Sequence, residues 1–358
     1  MATVTSASNG CVPVTYQIFH ARASSLDAPS VATVPAGKHT TARMGNLAAG
    51  VTYAAFAVGI CADGTRTPPS APALFTPTSV AAPTPSGDVF LVINKDAPSD
   101  QSVVVCYDGG LSNCEYLGNG GDALFNKPYD ILVGGTETWV TNTGSYPGWI
   151  SVCADKKLTN CVKALGDGTG AFETPKGMAI ASTGVYVSSK DGDFVSLCSG
   201  PGLTNCVASS TDFFEQPSYI LVVGDTVYVA NKDTVAVCNT ALTSCTKSDG
   251  DPTVNFYWPA GMAAAGGKIY VGFSGNIAAC TDLDLTVCTI TKDVDIGAAA
   301  GTDFNGVTVV GDKLYIGSNT DANEVFICNF DLTTCTATNG TGFFNTPTMV
   351  RHVPGWLL

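Results

Sequence analysis

The sequence predicts an all-β protein, the larger part of which is a six-bladed β-propeller and the smaller part an N-terminal β-sandwich. Three observations predict this fold class. Local cysteine pairs recur six times, and a unit of short apolar strands recurs with them along residues 79–358. The chain is also rich in Gly (39) and Pro (19) and only 13% charged, which suits short strands joined by tight turns.

Each cysteine pair is predicted to be a disulfide that bridges a hairpin. The pairs are Cys106/Cys114, Cys153/Cys161, Cys198/Cys206, Cys238/Cys245, Cys280/Cys288 and Cys328/Cys335. Zinc ligands usually stand closer together, and the three histidines of the chain (His20, His39, His352) are too few for six zinc sites. Opposed residues of an antiparallel pair lie within disulfide reach. Six such bridges predict an extracellular or cell-surface protein, and the alternative is a cytosolic repeat with buried free thiols.

The first cysteines recur at steps of 40 to 48 residues, a period typical of propeller blades. Each unit contains an apolar strand, a Gly turn, an aromatic-bearing strand, a strand that ends in the first cysteine, a Leu-Thr/Ser-x-Cys turn that reaches the second cysteine, and an outer strand. A Phe-x-x-Pro motif opens the unit at Phe125–Pro128, Phe172–Pro175, Phe214–Pro217, Phe256–Pro259 and Phe344–Pro347. One copy, at Phe304-Asn305-Gly306, lacks the proline. We interpret the Phe and Tyr positions as packing residues.

This unit resembles the NHL-type propeller repeat. The best copy runs from Pro175-Lys176-Gly177-Met178-Ala179-Ile180 to Val185-Tyr186-Val187. The resemblance covers residues 79–358 and implies a six-bladed propeller, but it carries little information about activity. The cysteine pair departs from the intracellular members of that family and again indicates a location outside the cell.

Residues 1–78 resemble the back half of a fibronectin type III domain. The stretch Leu47–Tyr53, the alternating strand that ends at Cys61 and a Pro-rich last strand carry the resemblance. Residues 14–23 are expected to form a central strand, so that Cys11 bridges Cys61. The first strands of that family are missing or cramped, and an incomplete sandwich exposes a sheet edge that another strand can pair with.

The two ends of the propeller allow three interpretations. Residues 348–353 complete the first blade, with 78–82 as a linker, or a terminal strand is donated to a neighbouring copy. Head-to-tail donation does not close and therefore builds a filament. The third interpretation is that the chain is a piece of a larger protein.

Charge and hydropathy restrict the partners. The net charge of −13 disfavours nucleic acid as a partner, and no apolar run reaches the roughly 18 residues of a membrane span. The N-terminal MATVTSASNG does not have the pattern of a signal peptide. The expected partners are other copies of the chain, through unpaired terminal strands, and glycans.

The search for catalytic motifs finds neither Gly-x-Ser-x-Gly nor His-Glu-x-x-His. The inner strands offer one acid to the tunnel, and their candidate residues are Asp130, Lys176, Ser218, Ala260, Gly306, Val307, Arg351 and His352. No cofactor and no catalytic residue are predicted. Four acidic pairs lie in predicted loops, at Asp191/Asp193, Asp249/Asp251, Asp282/Asp284 and Asp293/Asp295. They are interpreted as solvated turns, and the alternative is that they bind structural Ca²⁺ at the surface.

Asn339-Gly340-Thr341 is an N-glycosylation sequon. The aromatic pairs Tyr146/Trp149 and Tyr257/Trp258 could stack on a glycan, although core packing is the simpler interpretation. The polar clusters after the second strands are expected to be turns, and they are Asn94-Lys95-Asp96, Lys190-Asp191 and Asn231-Lys232-Asp233.

Together these features predict a non-enzymatic extracellular structural protein, a subunit of a surface appendage or filament assembled by strand exchange. The first alternative is a monomeric propeller that binds carbohydrate or protein in adhesion. The second is a metal-dependent lactonase or lyase.

Overall fold

The computed structural model describes strands of the N-terminal part and most of residues 88–354. The described residues are 13–22, 25–35, 53–61, 66–67, 70, 73–75 and 88–354, the last without 97–101, 118–123, 135–136, 155–157, 159, 168–170, 201, 210–211, 251–254 and 319–322. The chain divides into two compact units, 1–83 and 84–358, which are described separately.

Four antiparallel strands form one sheet in the N-terminal unit. They are β1 (Pro13–Arg22), β2 (Ser25–Pro35), β3 (Tyr53–Cys61) and β4 (Ala73–Phe75), in the order β2-β1-β3-β4. Strand β1 pairs with β3, with Pro13 opposite Cys61. Cys61 is buried and disulfide-bonded, and its predicted partner Cys11 lies outside the described residues. The fibronectin-like sandwich over residues 1–78 stays a prediction.

The second unit is a propeller of six four-stranded antiparallel sheets, which confirms the predicted architecture. Blade 1 contains β5 (Val89–Asn94), β6 (Val103–Cys106) and β7 (Cys114–Tyr116); blade 2 contains β8 (Pro128–Gly134), β9 (Glu137–Asn142), β10 (Trp149–Cys153) and β11 (Cys161–Ala164); blade 3 contains β12 (Pro175–Ala181), β13 (Gly184–Ser189), β14 (Phe194–Gly200) and β15 (Thr204–Ala208). Blade 4 contains β16 (Tyr219–Val223), β17 (Thr226–Ala230), β18 (Val235–Asn239) and β19 (Cys245–Ser248); blade 5 contains β20 (Gly261–Ala265), β21 (Lys268–Phe273), β22 (Asn276–Cys280) and β23 (Cys288–Lys292); blade 6 contains β24 (Phe304–Val310), β25 (Lys313–Ser318), β26 (Val325–Asn329) and β27 (Cys335–Thr338).

The last strand, β28 (Pro347–Val353), closes the ring. It is the innermost strand of blade 1 and pairs antiparallel with β5, with Val350 opposite Val92 and Val353 opposite Val89. Of the three interpretations of the termini, the structure therefore shows the first, in which the C-terminal strand completes the first blade. Residues 78–82 lie outside the described residues.

All six predicted in-blade disulfides are formed, and each joins the third strand of its blade to the fourth. The bonded pairs are Cys106–Cys114, Cys153–Cys161, Cys198–Cys206, Cys238–Cys245, Cys280–Cys288 and Cys328–Cys335. In every pair the two Cα atoms are 3.9–4.1 Å apart. The two cysteines are directly opposed in the antiparallel ladder, as a hairpin cross-link requires.

The position of Cys206 differs from the prediction. The predicted turn between Cys198 and Cys206 is present, but the outer strand begins before Cys206 rather than after it, where the pattern places it. Strand β14 continues past Cys198, and β15 begins two residues before Cys206, so that Gly200 pairs with Thr204. The reason is a tighter turn, because Gly202 takes a positive φ of 63° and lets the ladder extend beyond the cysteines.

The surroundings of Cys206 are those of a buried strand residue. The residue is 4% exposed, and its backbone N–H donates to the Asp167 carboxylate at 2.7 Å. Cys206 is therefore an interior strand residue whose disulfide to Cys198 is covered by the blade. The first cysteine is likewise followed by one further strand residue in blades 4 and 6, at Asn239 and Asn329.

A buried leucine with φ between 52° and 61° lies in each cysteine turn, at Leu111, Leu158, Leu203, Leu242, Leu285 and Leu332. This leucine is three residues before the second cysteine in all six blades. The conformation next to the disulfide is thus shared, although the turns differ in length.

Tyrosines of the second strands connect neighbouring blades. The hydroxyl of Tyr270 donates a hydrogen bond to the Phe330 carbonyl at 2.7 Å, and that of Tyr315 donates to the Gly109 carbonyl at 2.8 Å. Tyr186 makes the same bond to Thr240. In each case the acceptor lies in the cysteine turn of a different blade. The hydroxyl of Tyr228 is buried without a hydrogen-bond partner among the described residues.

The packing positions of the repeat are buried as expected. The five Phe-x-x-Pro phenylalanines are at most 5% exposed. The assignment of Phe304 to that series was wrong. Its strand begins at Phe304, which pairs with Ser318 where Pro175 of blade 3 pairs with Ser189. Phe304 therefore occupies the position of the missing proline, the first residue of the inner strand. Its buried ring fills the space at that position.

Helical structure in the described residues includes two 3₁₀ turns, Asp293–Ile296 and Gly340–Gly342. None of the described helices has the length and apolar character needed to cross a membrane.

The tyrosine bonds between blades provide a test with an internal control. We expect Tyr186→Phe and Tyr270→Phe each to lower the free energy of unfolding by about 1 kcal/mol, because each leaves a carbonyl with one hydrogen bond fewer. Tyr228→Phe removes a hydroxyl without a described partner and should leave stability unchanged or slightly raised. Denaturant unfolding under oxidising conditions measures the three values, and equal losses in all three variants would contradict this account.

Candidate functional site

The innermost strands place two groups of polar residues near the propeller axis. All of these strands start at the same face, which also carries the loops between second and third strands, and we call it the upper face. The cysteine turns lie at the opposite, lower face, because successive strands are antiparallel. One polar group is a charge pair on the axis, and the other lies in a pocket of the upper face.

The charge pair joins Arg351 of β28 to Asp130 of β8. The guanidinium Nη2 lies 3.0 Å from both carboxylate oxygens, and Nε donates to Oδ1 at 3.2 Å. The backbone N–H groups of Ile131 and Met178 donate to the same carboxylate at 2.8 and 2.9 Å. Both oxygens of this fully buried acid are therefore occupied by donors from blades 1, 2 and 3.

Burial and the attraction between the two charges act in opposite directions on both pKa values of this pair. Burial raises the pKa of Asp130 above its ordinary value, and the charge of Arg351 and the two backbone N–H groups lower it only in part. Burial also lowers the pKa of Arg351, but the Asp130 carboxylate and the Tyr219 hydroxyl together raise it by more, so the net pKa lies above its ordinary value. The guanidinium also lies 5.7 Å from the centre of the Tyr219 ring, which brings in blade 4.

The pocket on the upper face lies at blades 1–3. It has a volume of about 370 Å³ and is lined by Lys95, Lys127, Tyr129, Thr143, Gly144, Ser145, Tyr146, Thr174, Lys176, Lys190 and Asp191. Four of these residues are lysines and one is an acid. We call these four side chains the lysine cluster. The Lys176 Nζ stands 4.5 Å above the centre of the buried Tyr129 ring.

Lys176 differs from the other lysines because it lies on an innermost strand. Burial, followed by the charges of Lys190 and Lys95, lowers its pKa from 10.5 to about 7, although the Asp191 charge opposes this shift. This lysine therefore changes charge close to neutral pH, and its charge responds to any anion that enters the pocket.

Hydrogen bonds hold the backbone of the pocket. The Lys127 carbonyl accepts from the Thr143 N–H at 3.1 Å and from its hydroxyl at 2.9 Å. The N–H groups of Lys190 and Lys95 donate to the carbonyls of Thr174 and Thr346. The positions of the lysine backbones are thus set before any ligand binds.

The polar clusters after the second strands have two roles in the structure. The Asn94 side chain accepts from the Asn345 N–H and donates to the Phe343 carbonyl, and Asn231 makes the matching bonds in blade 4. These asparagines are turn residues, as expected. Two lysines of these clusters, Lys95 of blade 1 and Lys190 of blade 3, line the pocket, which the sequence interpretation missed. The signal that could have found them is the recurrence of lysine at one position of the repeat.

The acidic loop pairs have structural partners. Asp282 accepts from the backbone N–H groups of Thr286 and Val287, and Asp293 accepts from Val294, Gly301 and Thr302. Among the described residues, no three His, Cys, Asp or Glu side chains converge as a metal site would require. Structural Ca²⁺ stays a prediction without a located site, and part of one pair, Asp251, lies outside the described residues.

The aromatic pairs are placed differently from each other. Trp149 is buried and donates through Nε1 to the Leu124 carbonyl at 3.1 Å, whereas Tyr146 is 69% exposed at the pocket. Tyr257 and Trp258 are exposed and meet edge to face, with ring centres 6.3 Å apart. Core packing was therefore wrong for three of these four rings, because the two positions between Phe and Pro and the loop after the second strand lie at the surface of the upper face.

The other predicted positions lie away from the pocket. His352 bonds to Asp88 at 3.1 Å, and Ser218 donates to the Pro259 carbonyl at 2.8 Å. Ala260 and Gly306 offer no side-chain chemistry. Asn339 is exposed, as a glycosylation site requires, and its modification stays a prediction.

No protein-family model matches the chain, and no curated protein is similar to it. Solved structures do match. A chain of a nidogen/laminin complex superimposes with a TM-score of 0.57 at 8% identity, over 76% of this chain and 100% of that chain. A protein of unknown function from Bacteroides caccae gives 0.53 at 8% identity, over 75% and 99%. A putative 6-phosphogluconolactonase from Bacteroides fragilis gives 0.50 at 13% identity, over 75% and 98%. These likenesses show the propeller fold and nothing finer, and the NHL type stays a prediction.

We expect the axial pair to be required for stability. Arg351→Met leaves the buried Asp130 carboxylate without its partner and should lower the free energy of unfolding by about 3–5 kcal/mol. The double variant Arg351→Met/Asp130→Asn has no unpaired charge and should lose less. Denaturant unfolding at neutral pH measures both. A single variant that is as stable as the double variant would show that the pair is dispensable.

We expect Lys176 to titrate near neutral pH. NMR of side-chain-labelled lysine should give a midpoint of about 7. Lys190→Gln should raise this midpoint, because it removes a like charge, and Asp191→Asn should lower it, because it removes an opposite one. The folded pKa lies below the unfolded value of about 10.4, so this group makes stability rise with pH between these values. A midpoint above 10 in the parent protein would contradict the burial of Lys176.

Proposed function

We propose that the protein is an extracellular, non-enzymatic structural protein, in which the propeller is a rigid body and copies associate head to tail through a sheet edge of the N-terminal unit. The observation that carries this proposal is the disulfide in every blade. Six cross-links of this kind persist in an oxidising compartment and are rare in the cytosol.

The position of the disulfides supports a structural role. The outermost strands are three to five residues long and have one neighbour each, so few backbone hydrogen bonds hold them. Each disulfide joins such an outermost strand to the third strand of its blade, close to the turn between them. Several of these turns each accept a hydrogen bond from a tyrosine of another blade. Cross-links at these places stiffen the rim of the propeller. They do not lie at the axis, where a catalytic site of a propeller would be expected.

The axis supports a non-enzymatic role. A tunnel metal would need several free oxygen donors from the innermost strands. Asp130 is the acid that these strands direct to the axis, and four donors already occupy its oxygens. The described innermost strands thus offer no set of free oxygen donors that could bind the metal of a lactonase or lyase.

The N-terminal sheet supports association between copies. Strand β2, with eleven residues, lies at one edge of this sheet and has β1 as its one neighbour among the described residues. A long open edge is a template for an added strand. The C-terminal strand β28 is paired within the chain, so head-to-tail association requires that another segment of the neighbouring copy be added to β2. The matching chain of the nidogen/laminin structure belongs to a complex of two proteins.

A second candidate function is carbohydrate binding by the propeller itself. The lysine cluster and the exposed Tyr146 favour this candidate, because they form a pocket with both charge and an aromatic surface. The two functions are compatible, since the pocket belongs to the propeller and the open edge to the other unit.

The assembly proposal is tested on the full-length oxidised protein by mass photometry and negative-stain imaging over a range of concentrations. Ordered fibres are expected. Ala32→Lys/Thr33→Lys places two charges in the edge strand and should reduce assembly, because lysines block edge pairing. The control Val162→Lys/Val207→Lys adds the same charge at two exposed residues of blades 2 and 3 and should assemble normally.

A monodisperse monomer at high concentration would refute assembly. Peptide mapping without reduction tests the compartment separately, since the six predicted cystine peptides are expected from protein isolated from its native source. Free thiols in that material would refute an extracellular location.

A further inference from the structure

The lysine cluster stands out on a protein of net charge −13. Its four lysines come from three blades, so no single segment of basic sequence explains them. Among the described residues none of the four forms an ion pair, and the one acid of the pocket, Asp191, accepts a hydrogen bond from the Thr174 hydroxyl. The pocket thus holds positive charge that the described side chains do not neutralise.

Blade 4 shows what the same repeat does without a pocket. Lys232 follows its second strand, as Lys95 and Lys190 follow theirs in blades 1 and 3. Its Nζ lies 3.4 Å from the Glu215 carboxylate and 4.0 Å from Asp233. The lysine at this position is therefore neutralised in blade 4, whereas in the described part of the pocket it has no ion-pair partner.

We propose that the lysine cluster binds the acidic groups of an anionic saccharide. The pocket that these lysines line has a volume of about 370 Å³, which lies within the range of ligand pockets. Lysines act as point charges that pair with any acidic group, whether carboxylate or sulfate, so the choice of a saccharide comes from the other residues of the pocket. The exposed Tyr146 ring offers a face against which a sugar can pack, and Thr143 and Ser145 offer hydroxyls that can bond to sugar hydroxyls.

The electrostatics of the pocket support this proposal. Lys176 faces Lys190, Lys95, Asp191 and the Tyr129 ring. With a pKa of about 7 it is only partly charged at neutral pH, and a bound anion favours its protonated form. Affinity for an anion should therefore fall as the pH rises from about 6 to about 8.5.

The test is calorimetric titration of the full-length protein at about 0.15 M salt with three tetrasaccharides. Tetragalacturonate carries carboxylates, a heparin tetrasaccharide carries sulfates as well, and cellotetraose is neutral. The acidic probes should bind and cellotetraose should not. Lys95→Gln/Lys190→Gln should weaken acidic binding by about tenfold or more, because it removes two of the four positive charges that face the acidic groups.

The matched control is Lys232→Gln/Lys247→Gln, which removes the same charge from lysines of blade 4 and should bind as the parent does. Lys176→Met should abolish the pH dependence across that range. Tyr146→Ala should weaken tetragalacturonate but leave the weak binding of inorganic sulfate unchanged. Thermal unfolding of each variant shows whether it is folded.

Two outcomes support the proposal and three refute it. Tighter binding of either acidic probe supports it and identifies carboxylate or sulfate as the recognised group. No acidic binding, equal binding of cellotetraose, or equal loss in the blade 4 control refutes it. Saccharide binding does not depend on assembly, because the same titration can be carried out on monomers or on fibres. The binding proposal and the assembly proposal can therefore fail independently.

Discussion

The ring of blades depends on the pairing of β28 with β5, which joins the end of the propeller chain to its beginning. The same strand carries Arg351, whose guanidinium binds Asp130 of the adjacent blade and approaches Tyr219 of blade 4. One strand therefore supplies both the hydrogen-bonded seam of blade 1 and the charge that the buried acid of blade 2 needs. A buried charge pair costs desolvation energy, and it stabilises only while both partners and their additional hydrogen bonds are in place. The Arg351–Asp130 pair on the axis therefore helps to hold the closing strand β28 in place.

The rim of the propeller is held by a second, repeated device. Each cysteine turn is fixed by a disulfide and a buried leucine. In several blades the turn then accepts a hydrogen bond from a tyrosine of another blade. A disulfide here does more than close its own hairpin, because it also positions the carbonyl that the neighbouring blade uses. This coupling explains how outer strands of three to five residues belong to a rigid body.

The upper face shows how one backbone can carry different chemistry. The residues before Pro128, Pro175, Pro217, Pro259 and Pro347 all have φ between 46° and 53°, so the loops repeat in conformation while their side chains change. In blades 1–3 the changes place four lysines around a pocket. In blade 4 a glutamate neutralises the lysine, and in blade 5 two exposed aromatic rings take the two places before the proline. Variable side chains on a fixed loop are the usual basis of recognition by a scaffold protein.

The sequence by itself determined the propeller, its blade number and its disulfides, because each of these is a local pattern. A hairpin sets the distance between its two cysteines, and a repeat of apolar strands must stack to bury its faces. Only the tertiary structure decided which strand closes the ring, that Asp130 is neutralised by a residue more than two hundred positions away, that Phe304 replaces a proline, and that Cys206 lies inside a strand. It also decided that Lys95, Lys127, Lys176 and Lys190 meet. These lysines are far apart in the chain and come together because a propeller places the same positions of successive repeats side by side on one face.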